Sequence, residues 1–398
     1  MTILIATVGG APAPVIHAIQ QTRPGTLALI ASRKGQGTDK GSVDEIPAIL
    51  EAAGWSGPEP ITETLDRPDE LAAVWETCEA LAARLPGDAR IVANYSGGTK
   101  SMSAGLVTFA LRAGWELQIQ SARRNDLVKV TANDNARKVA IGGIVAADVR
   151  RQADQLAARH DHDGAATLLE RLLADHALPT GLADAIQRDI ARHRFDEALD
   201  RYDFETAASL LADRGTALSQ ALGATWAPRL RAFRQTLAWL ATTSEPAPKK
   251  IADALDLVRH LIDTARRTAD RGRCDDAFSR LYRATELLAQ IVLRFTFDLR
   301  TGDLDRGRLP AAFVTRLPAA ETGPLRASLM QAYTLLADLD HPLGRFFVPS
   351  KDRLRALLEN RNASWLAHGF LSVTPSMWRT HGEAWIRWLE DAAKAAVA

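Results

Sequence analysis

The chain has 398 residues, 46% hydrophobic and 24% charged, which are globular proportions for two or three domains and exclude a disordered or collagen-like chain. Lys and Arg total 49 against 48 Asp and Glu, a formal charge of +1, so a long polyanion has to be held by a local patch and not by the field of the whole molecule. Only nine of those 49 bases are Lys, and Arg is the better residue for two-pronged contact with phosphate.

The N-terminal part alternates strand and helix patterns. Residues 2–8 are an apolar, β-branched run that ends in Gly9 and Gly10. A helix is expected over 13–22, a strand over 26–32, and an amphipathic helix over 43–53 with Pro47 early in it. A weak strand follows at 61–65 and a strong helix pattern at 69–85, marked by Leu71, Val74, Trp75, Cys78, Leu81 and Leu85. A strand at 89–95 leads to a helix at 102–113. Residues 115–121 and 127–131 read as two more strands, in a hairpin around Arg124, Asn125 and Asp126. This alternation predicts a mostly parallel, doubly wound sheet.

From about residue 146 the strand signal stops and helices rich in Ala, Leu, Arg and Asp follow. The stretch from His162 resembles the stretch from Tyr202, each with an Asp N-cap before small and Leu residues, but the spacing is too irregular for a solenoid. Residues 241–250 are linker-like. The expected division is therefore an α/β doubly wound, Rossmann-like domain at 1–145, an all-α linker domain at 146–245 and a second all-α domain at 246–398.

The two cysteines, Cys78 and Cys274, are too few for a disulfide framework or a zinc site, which suits a reducing cytoplasm. No apolar run reaches the ~18 residues of a membrane span, and the N-terminus reads as a strand and not as a signal peptide. Cytoplasmic localisation without membrane association is the expectation.

Two glycine turns carry the first functional signal. Thr7, Val8, Gly9 and Gly10 end the first strand. Asn94, Tyr95, Ser96, Gly97, Gly98, Thr99, Lys100, Ser101 and Met102 end the fourth strand and open a helix. Gly97 and Gly98 permit a tight turn with backbone close to a ligand, and the helix that follows presents N–H groups and a positive dipole end. With hydroxyls from Ser96, Thr99 and Ser101 and a cation from Lys100, the turn suits phosphate. If strands one and four are neighbours, both turns meet at the topological switch point. The pattern is neither a Walker A loop nor a Gly-x-Gly-x-x-Gly fingerprint, which removes the main support for mononucleotide hydrolysis or NAD binding. The basic loop from Ser32 to Thr38 either covers the same ligand or is simply solvated.

These residues resemble the CARF domain, the ligand-sensing domain of type III CRISPR ancillary proteins, over about 140 residues. The resemblance implies a homodimer that binds one cyclic oligoadenylate, a tetra- or hexa-adenylate, as activator. It implies a ligand site lined by Thr7, Gly9, Gly10, Ser96, Gly97, Gly98, Thr99, Lys100 and Met102, with Ser32 beside them.

The second signal lies near the C-terminus. Residues 352–368 read as one helix with Leu354, Leu357, Leu358, Trp365 and Leu366 apolar and Gly369 as its stop. Arg361 and His368 would then share a face nearly two turns apart, about 10 Å along the axis. Such a pair suits RNA cleavage without metal. Arg361 would stabilise charge on the phosphorane, His368 would move protons, and Asn362 would hold the phosphate or orient the histidine. Spacing alone is weak, because an Arg followed by a His with four to six residues between them also occurs at Arg171/His176 and Arg188/His193. The run from Arg361 to His368 resembles the Arg-x(4–6)-His motif of HEPN ribonucleases. The helix from Cys274 to Gln290 resembles the first long helix of that fold. Joined to a CARF-like domain, the pair resembles the cyclic-oligoadenylate-activated ribonucleases, which implies a single-stranded RNA substrate. Arg283 and Glu286 share a face of the earlier helix, as support for the site or as an ordinary ion pair.

His160, Asp161, His162 and Asp163 read as capping and solvation and not as a metal site, and no metal or cofactor is expected. No Glu-x-Lys motif of a metal-dependent nuclease follows in the C-terminal half. Tryptophans 226, 239, 365, 378, 385 and 388 read as core or dimer contacts. There is no helix-turn-helix signal, so DNA is not an expected partner. The other reading is a ligand-sensing adaptor or regulator with an inactive helical domain.

Overall fold

The computed structural model describes residues 1–33, 40–121, 135–139, 141–212, 215–316 and 325–398. They form two compact units: residues 1–149 with 171–183, and residues 150–170 with 184–398.

The first unit is built on one six-stranded sheet. Its strands are β1 (Thr2–Thr7), β2 (Thr26–Ser32), β3 (Ile61–Leu65), β4 (Arg90–Asn94), β5 (Glu116–Ser121) and β6 (Asn135–Lys138). The order across the sheet is β3-β2-β1-β4-β5-β6. All pairings are parallel except β5 with β6. The crossovers are α1 (Ala13–Thr22), α2 (Ile46–Ala53), α3 (Leu71–Ala82) and α4 (Lys100–Ala113). The unbroken apolar runs of β1 and β2 follow from burial on both faces. Alternate residues serve opposite layers. Ile3, Ile5, Ala28 and Ile30 pack with Val74, Cys78, Met102 and Leu106 from α3 and α4. Leu4, Ala6, Leu27 and Leu29 pack with Val15, Ile19, Ile46 and Ile49 from α1 and α2.

This is the doubly wound architecture expected from the alternation. One strand differs: β6 is Asn135–Lys138, whereas the expected strand at 127–131 and its turn at 124–126 lie outside the described residues. An edge strand with the sequence Asn-Ala-Arg-Lys has no apolar face from which to read it.

Helices α5 (Gly142–Ala157), α6 (His162–Asp175) and α7 (Thr180–Asp200) follow the sheet. The second unit continues with α8 (Phe204–Ala212), α9 (Ala217–Ala241), α10 (Ile251–Asp270) and α11 (Cys274–Phe297). It closes with α12 (Ala311–Val314), α13 (Leu329–Asp338), α14 (Pro342–Asn362), α15 (Pro375–Met377) and α16 (Glu383–Ala395). Residues 241–250, read as a linker, lie inside this unit. One apolar core runs from Phe195 and Phe233 through Phe278 and Leu288 to Trp385 and Leu389. Two of the large polar rings inside it are paired: the Tyr333 hydroxyl donates to Thr285 O at 2.8 Å, and Trp385 Nε1 donates to Thr285 Oγ1 at 2.9 Å. No described helix is long and apolar enough to cross a membrane.

His260 on α10 sits inside this core, ringed by Tyr202, Phe204, Trp226 and Phe233, with Nε2 3.0 Å from Leu199 O. Burial pulls its pKa below the usual imidazole value. The half-buried His162 and His193 are depressed for the same reason. A depressed native pKa means that the unfolded chain binds more protons as the pH falls through about 6.5. Stability is therefore lost from that pH downward, toward the native pKa values. Denaturant titrations between about pH 5 and 7 check this: the unfolding midpoint rises with pH, and His260→Asn flattens the slope.

Candidate functional site

Each unit carries one group of residues picked out by the sequence. In the α/β unit, β1 and β4 are neighbours, with Ala6 level with Asn94. Both glycine turns therefore meet at the carboxyl edge of the sheet, where strand order reverses.

The turns interlock tightly. The buried Thr7 donates its hydroxyl to Gly97 O at 2.7 Å. A Cβ on Gly97 would stand 2.3 Å from Thr7 O, and one on Gly9 would stand 2.6 Å from Gly98 N. Gly98 has φ +79, a conformation that L side chains rarely adopt. Gly10, by contrast, is exposed and faces open space. Thr99 is the N-cap of α4: its Oγ1 accepts from Met102 N at 3.2 Å and donates to Pro68 O at 2.8 Å. Ser96 Oγ accepts from Gln120 N at 2.7 Å. Lys100 stands exposed in the first turn of α4.

Two expected ligand contacts are held by the fold itself. Met102 is fully buried in the core beneath α4. Ser32 ends β2 and exchanges hydrogen bonds with Ser42, donating from its N at 2.8 Å and accepting from Ser42 N at 3.0 Å. The rest of the basic loop, residues 34–38, lies outside the described residues. One group was missed by the sequence reading. Gln120 on β5 stands next to Ser96, and its buried side-chain Nε2 and Oε1 have no hydrogen-bond partner among the described residues. A single glutamine in a strand carries no pattern that would single it out.

In the helical unit, α14 ends at Asn362, so the helix expected to run to residue 368 stops six residues short of His368. Arg361 and His368 therefore do not lie two turns apart on one helix face. The chain instead turns back on itself: Ser364 pairs with Leu371, and Leu371 N donates to Ala363 O at 2.9 Å. Gly369 permits this reversal, since a Cβ there would stand 2.0 Å from Ala363 O. Its role is close backbone approach and not a helix stop. Trp365 and Leu366, expected on an apolar face, are exposed instead.

Arg361 remains well held. Its guanidinium lies 4.4 Å above the Tyr282 ring of α11, and Nη1 donates to Asn362 Oδ1 at 3.4 Å. Its buried Nε has no hydrogen-bond partner among the described residues. His368 is exposed in the turn that follows. A guanidinium stacked on one face and short of an acceptor is suited to take up a phosphate oxygen. Tyr282, which positions Arg361, was not identified from sequence because its partner is 79 residues away.

Arg283 is an ion-pair partner: Nη1 donates to Glu286 Oε2 at 2.7 Å and to Gln290 Oε1 at 2.9 Å. His162 stacks on His193 with ring centroids 5.7 Å apart, and His160 Nε2 lies 3.6 Å from Asp270 Oδ2. Among the described residues, no group of three or more His, Cys, Asp or Glu is placed to hold a metal ion.

A doubly wound α/β domain with interlocked glycine turns, followed by a helical domain, is the arrangement implied by the class that the sequence motifs resemble. Residues 249–387 match the family model of the Csm6 HEPN domain. The whole chain has the fold of Enterococcus italicus Csm6 bound to cyclic hexa-2'-fluoro-hexa-dAMP. The TM-score is 0.63 and the identity 12%, over 100% of this chain and 92% of that one. Can2 from Sulfobacillus thermosulfidooxidans, in complex with cyclic tetra-adenylate, aligns at a TM-score of 0.27 and 12% identity over 54% of this chain and 69% of that one. No curated protein sequence matches the chain.

Proposed function

We propose that the chain is an endoribonuclease for single-stranded RNA, switched on by a cyclic oligoadenylate and acting in CRISPR antiviral defence. The observation that carries the nuclease half is the Csm6 HEPN domain with Arg361 held on Tyr282 and short of an acceptor. The sensing half is supported by the meeting of both glycine turns with exposed Lys100 at the switch point. The ring nucleotide bound to the Enterococcus italicus protein of like fold points the same way.

The chemistry needs no group beyond the RNA and the protein. The ribose 2′-OH attacks the adjacent phosphorus, the O2′–P bond forms and the P–O5′ bond breaks. The products are a 2′,3′-cyclic phosphate and a 5′-hydroxyl end. Arg361 stabilises the phosphorane charge, Asn362 orients the guanidinium, and His368 transfers a proton to or from the reacting oxygens. The activator's phosphates meet Lys100, Gly10 and the start of α4, and Gln120 offers an amide to a base edge. Activation requires that the ligand bind the active arrangement more tightly than the inactive one.

The active species is a homodimer in which the turns bearing His368 face each other. Trp365 and Phe370 are 61% and 78% exposed and pack edge to face at 5.5 Å, with Leu366 and Leu371 exposed beside them. So compact an apolar group on a surface is suited to burial against a second copy. Trp365→Ser with Phe370→Ser is expected to weaken dimerisation at least tenfold in sedimentation equilibrium. An unchanged monomer–dimer constant removes this surface from the interface.

The test of function is incubation with fluorescent single-stranded RNA and EDTA, with and without cyclic tetra- or hexa-adenylate. Activator-dependent cleavage supports the nuclease. Saturable activator binding without cleavage supports an adaptor with an inactive helical domain, the reading favoured by the departure of His368 from the Arg361 helix.

A further inference from the structure

From Arg283 onward α11 borders a cavity of about 500 Å³, which Tyr282 and Arg361 do not line and which none of the chemistry above uses. Arg283, Gln290 and Arg294 reach it from a single stripe of α11, because steps of seven and four residues bring a helix back to nearly the same face. Past α11 the chain reverses at Asp298, and the pairing of Arg300 with Asp303 carries Arg300 to the same cavity. Leu240, at the end of α9, and Leu299 provide an apolar wall.

Arg294 is the unusual member. It is only 6% exposed, its Nη2 donates to Thr242 O at 2.6 Å, and its guanidinium lies 4.9 Å from the Trp239 ring centre. Its buried Nε and Nη1 have no hydrogen-bond partner among the described residues. Burial, with Arg300 nearby, lowers its pKa, opposed by Asp298. A buried guanidinium without a carboxylate partner is costly. Capping of α9 accounts for part of the arrangement, since Arg294 and Arg300 each donate to one of its terminal carbonyls, Thr242 O and Ala241 O. That uses one donor of the five on each guanidinium. The lining holds three arginines and one carboxylate, Asp303; Arg283 is also paired with Glu286, which leaves Arg294 and Arg300 as the less compensated cations.

We propose that this cavity binds a phosphomonoester of mononucleotide size, with the phosphate at Arg294 and Arg300 and the nucleoside against Leu240 and Leu299. The volume lies within the range of small-ligand pockets. Free nucleotide and a phosphorylated RNA end share this chemistry. The site is independent of the nuclease reading, because it is defined by its own charges and walls.

The test is isothermal titration of the full chain with uridine 5′-monophosphate, uridine, inorganic phosphate and a 5′-phosphorylated oligouridylate. Saturable binding of the monophosphate, at least tenfold tighter than uridine, is expected. Equal or tighter binding of the oligonucleotide identifies an RNA end as the source, and its exclusion identifies the free nucleotide. Arg300→Ala and Arg283→Ala each weaken binding about tenfold or more, as loss of a charged hydrogen bond does. Arg294→Lys keeps the charge but loses the fork, and is expected to weaken binding further; the two more exposed variants carry the test if it does not fold. Lys100→Ala leaves the affinity unchanged. The proposal is overturned if the wild type shows no saturable binding, if Arg300→Ala and Arg283→Ala bind normally, or if Lys100→Ala alone abolishes binding. RNA cleavage by a protein that binds no monophosphate overturns this site and leaves the nuclease reading standing.

Discussion

Activator-dependent RNA cleavage falls by about two to four orders of magnitude in His368→Ala and in Arg361→Ala, the range for loss of a general acid–base or of an anion-stabilising donor. Both side chains lie outside the apolar core, so both variants are expected to fold and to bind the activator as the wild type does. Arg361→Lys recovers little activity. An ammonium keeps the charge but lacks the planar fork and the stacking on Tyr282 that hold the guanidinium. The measurement is single-turnover cleavage at saturating activator, with activator affinity measured in parallel. Full cleavage in both alanine variants removes the assigned site. Loss in Arg361→Ala alone keeps the anion-stabilising role and moves the proton-transfer role away from His368.

The second large effect separates the sensor from its scaffold. Lys100→Ala removes an exposed cation in the first turn of α4 and is expected to weaken activator binding at least tenfold, with little change in unfolding midpoint. Gly97→Ala acts in the opposite way. Its Cβ would stand 2.3 Å from the carbonyl oxygen of Thr7, whose side chain also donates to Gly97 O, so the β1 and β4 turns have to separate. A lowered midpoint together with lost activator response is expected. Denaturant unfolding and activator titration on both variants check the pair. Unchanged activator affinity in Lys100→Ala removes that cation from the sensor site, and a fully stable, responsive Gly97→Ala removes the interlocked turns.

The architecture was legible where burial on two sides leaves a mark on the chain. The apolar runs at β1, β2 and β4 read directly as strands, and Gly97 and Gly98 read as a tight turn that opens α4. Strand β6 was not legible, because its pairing is set by the neighbouring β5 and not by its own polar residues. The end of α14 was misread for a related reason. The segment Ala-Ser-Trp-Leu-Ala has good helical periodicity, but the approach of Gly369 to Ala363 O bends the chain away from the helix. Met102 and Ser32 were read as ligand contacts by position in a motif. The structure commits the first to the core and the second to Ser42.

By itself, the order of residues determined the doubly wound topology and the helical character of the rest. It also placed a glycine turn at the end of each of two strands that become neighbours. These are local matters, set by periodicity, burial pattern and the conformational freedom of glycine. The tertiary structure alone decided which side chains are spent on the fold and which remain to act. Thr99 is consumed as a helix cap, while the amide of Gln120 has no partner among the described residues. Arg361 is seated on Tyr282, and Arg294 is buried beside a cavity with two of its donors unpaired among the described residues. Hydrogen-bond satisfaction and charge pairing depend on groups brought together from distant parts of the chain, and no spacing along the sequence encodes them.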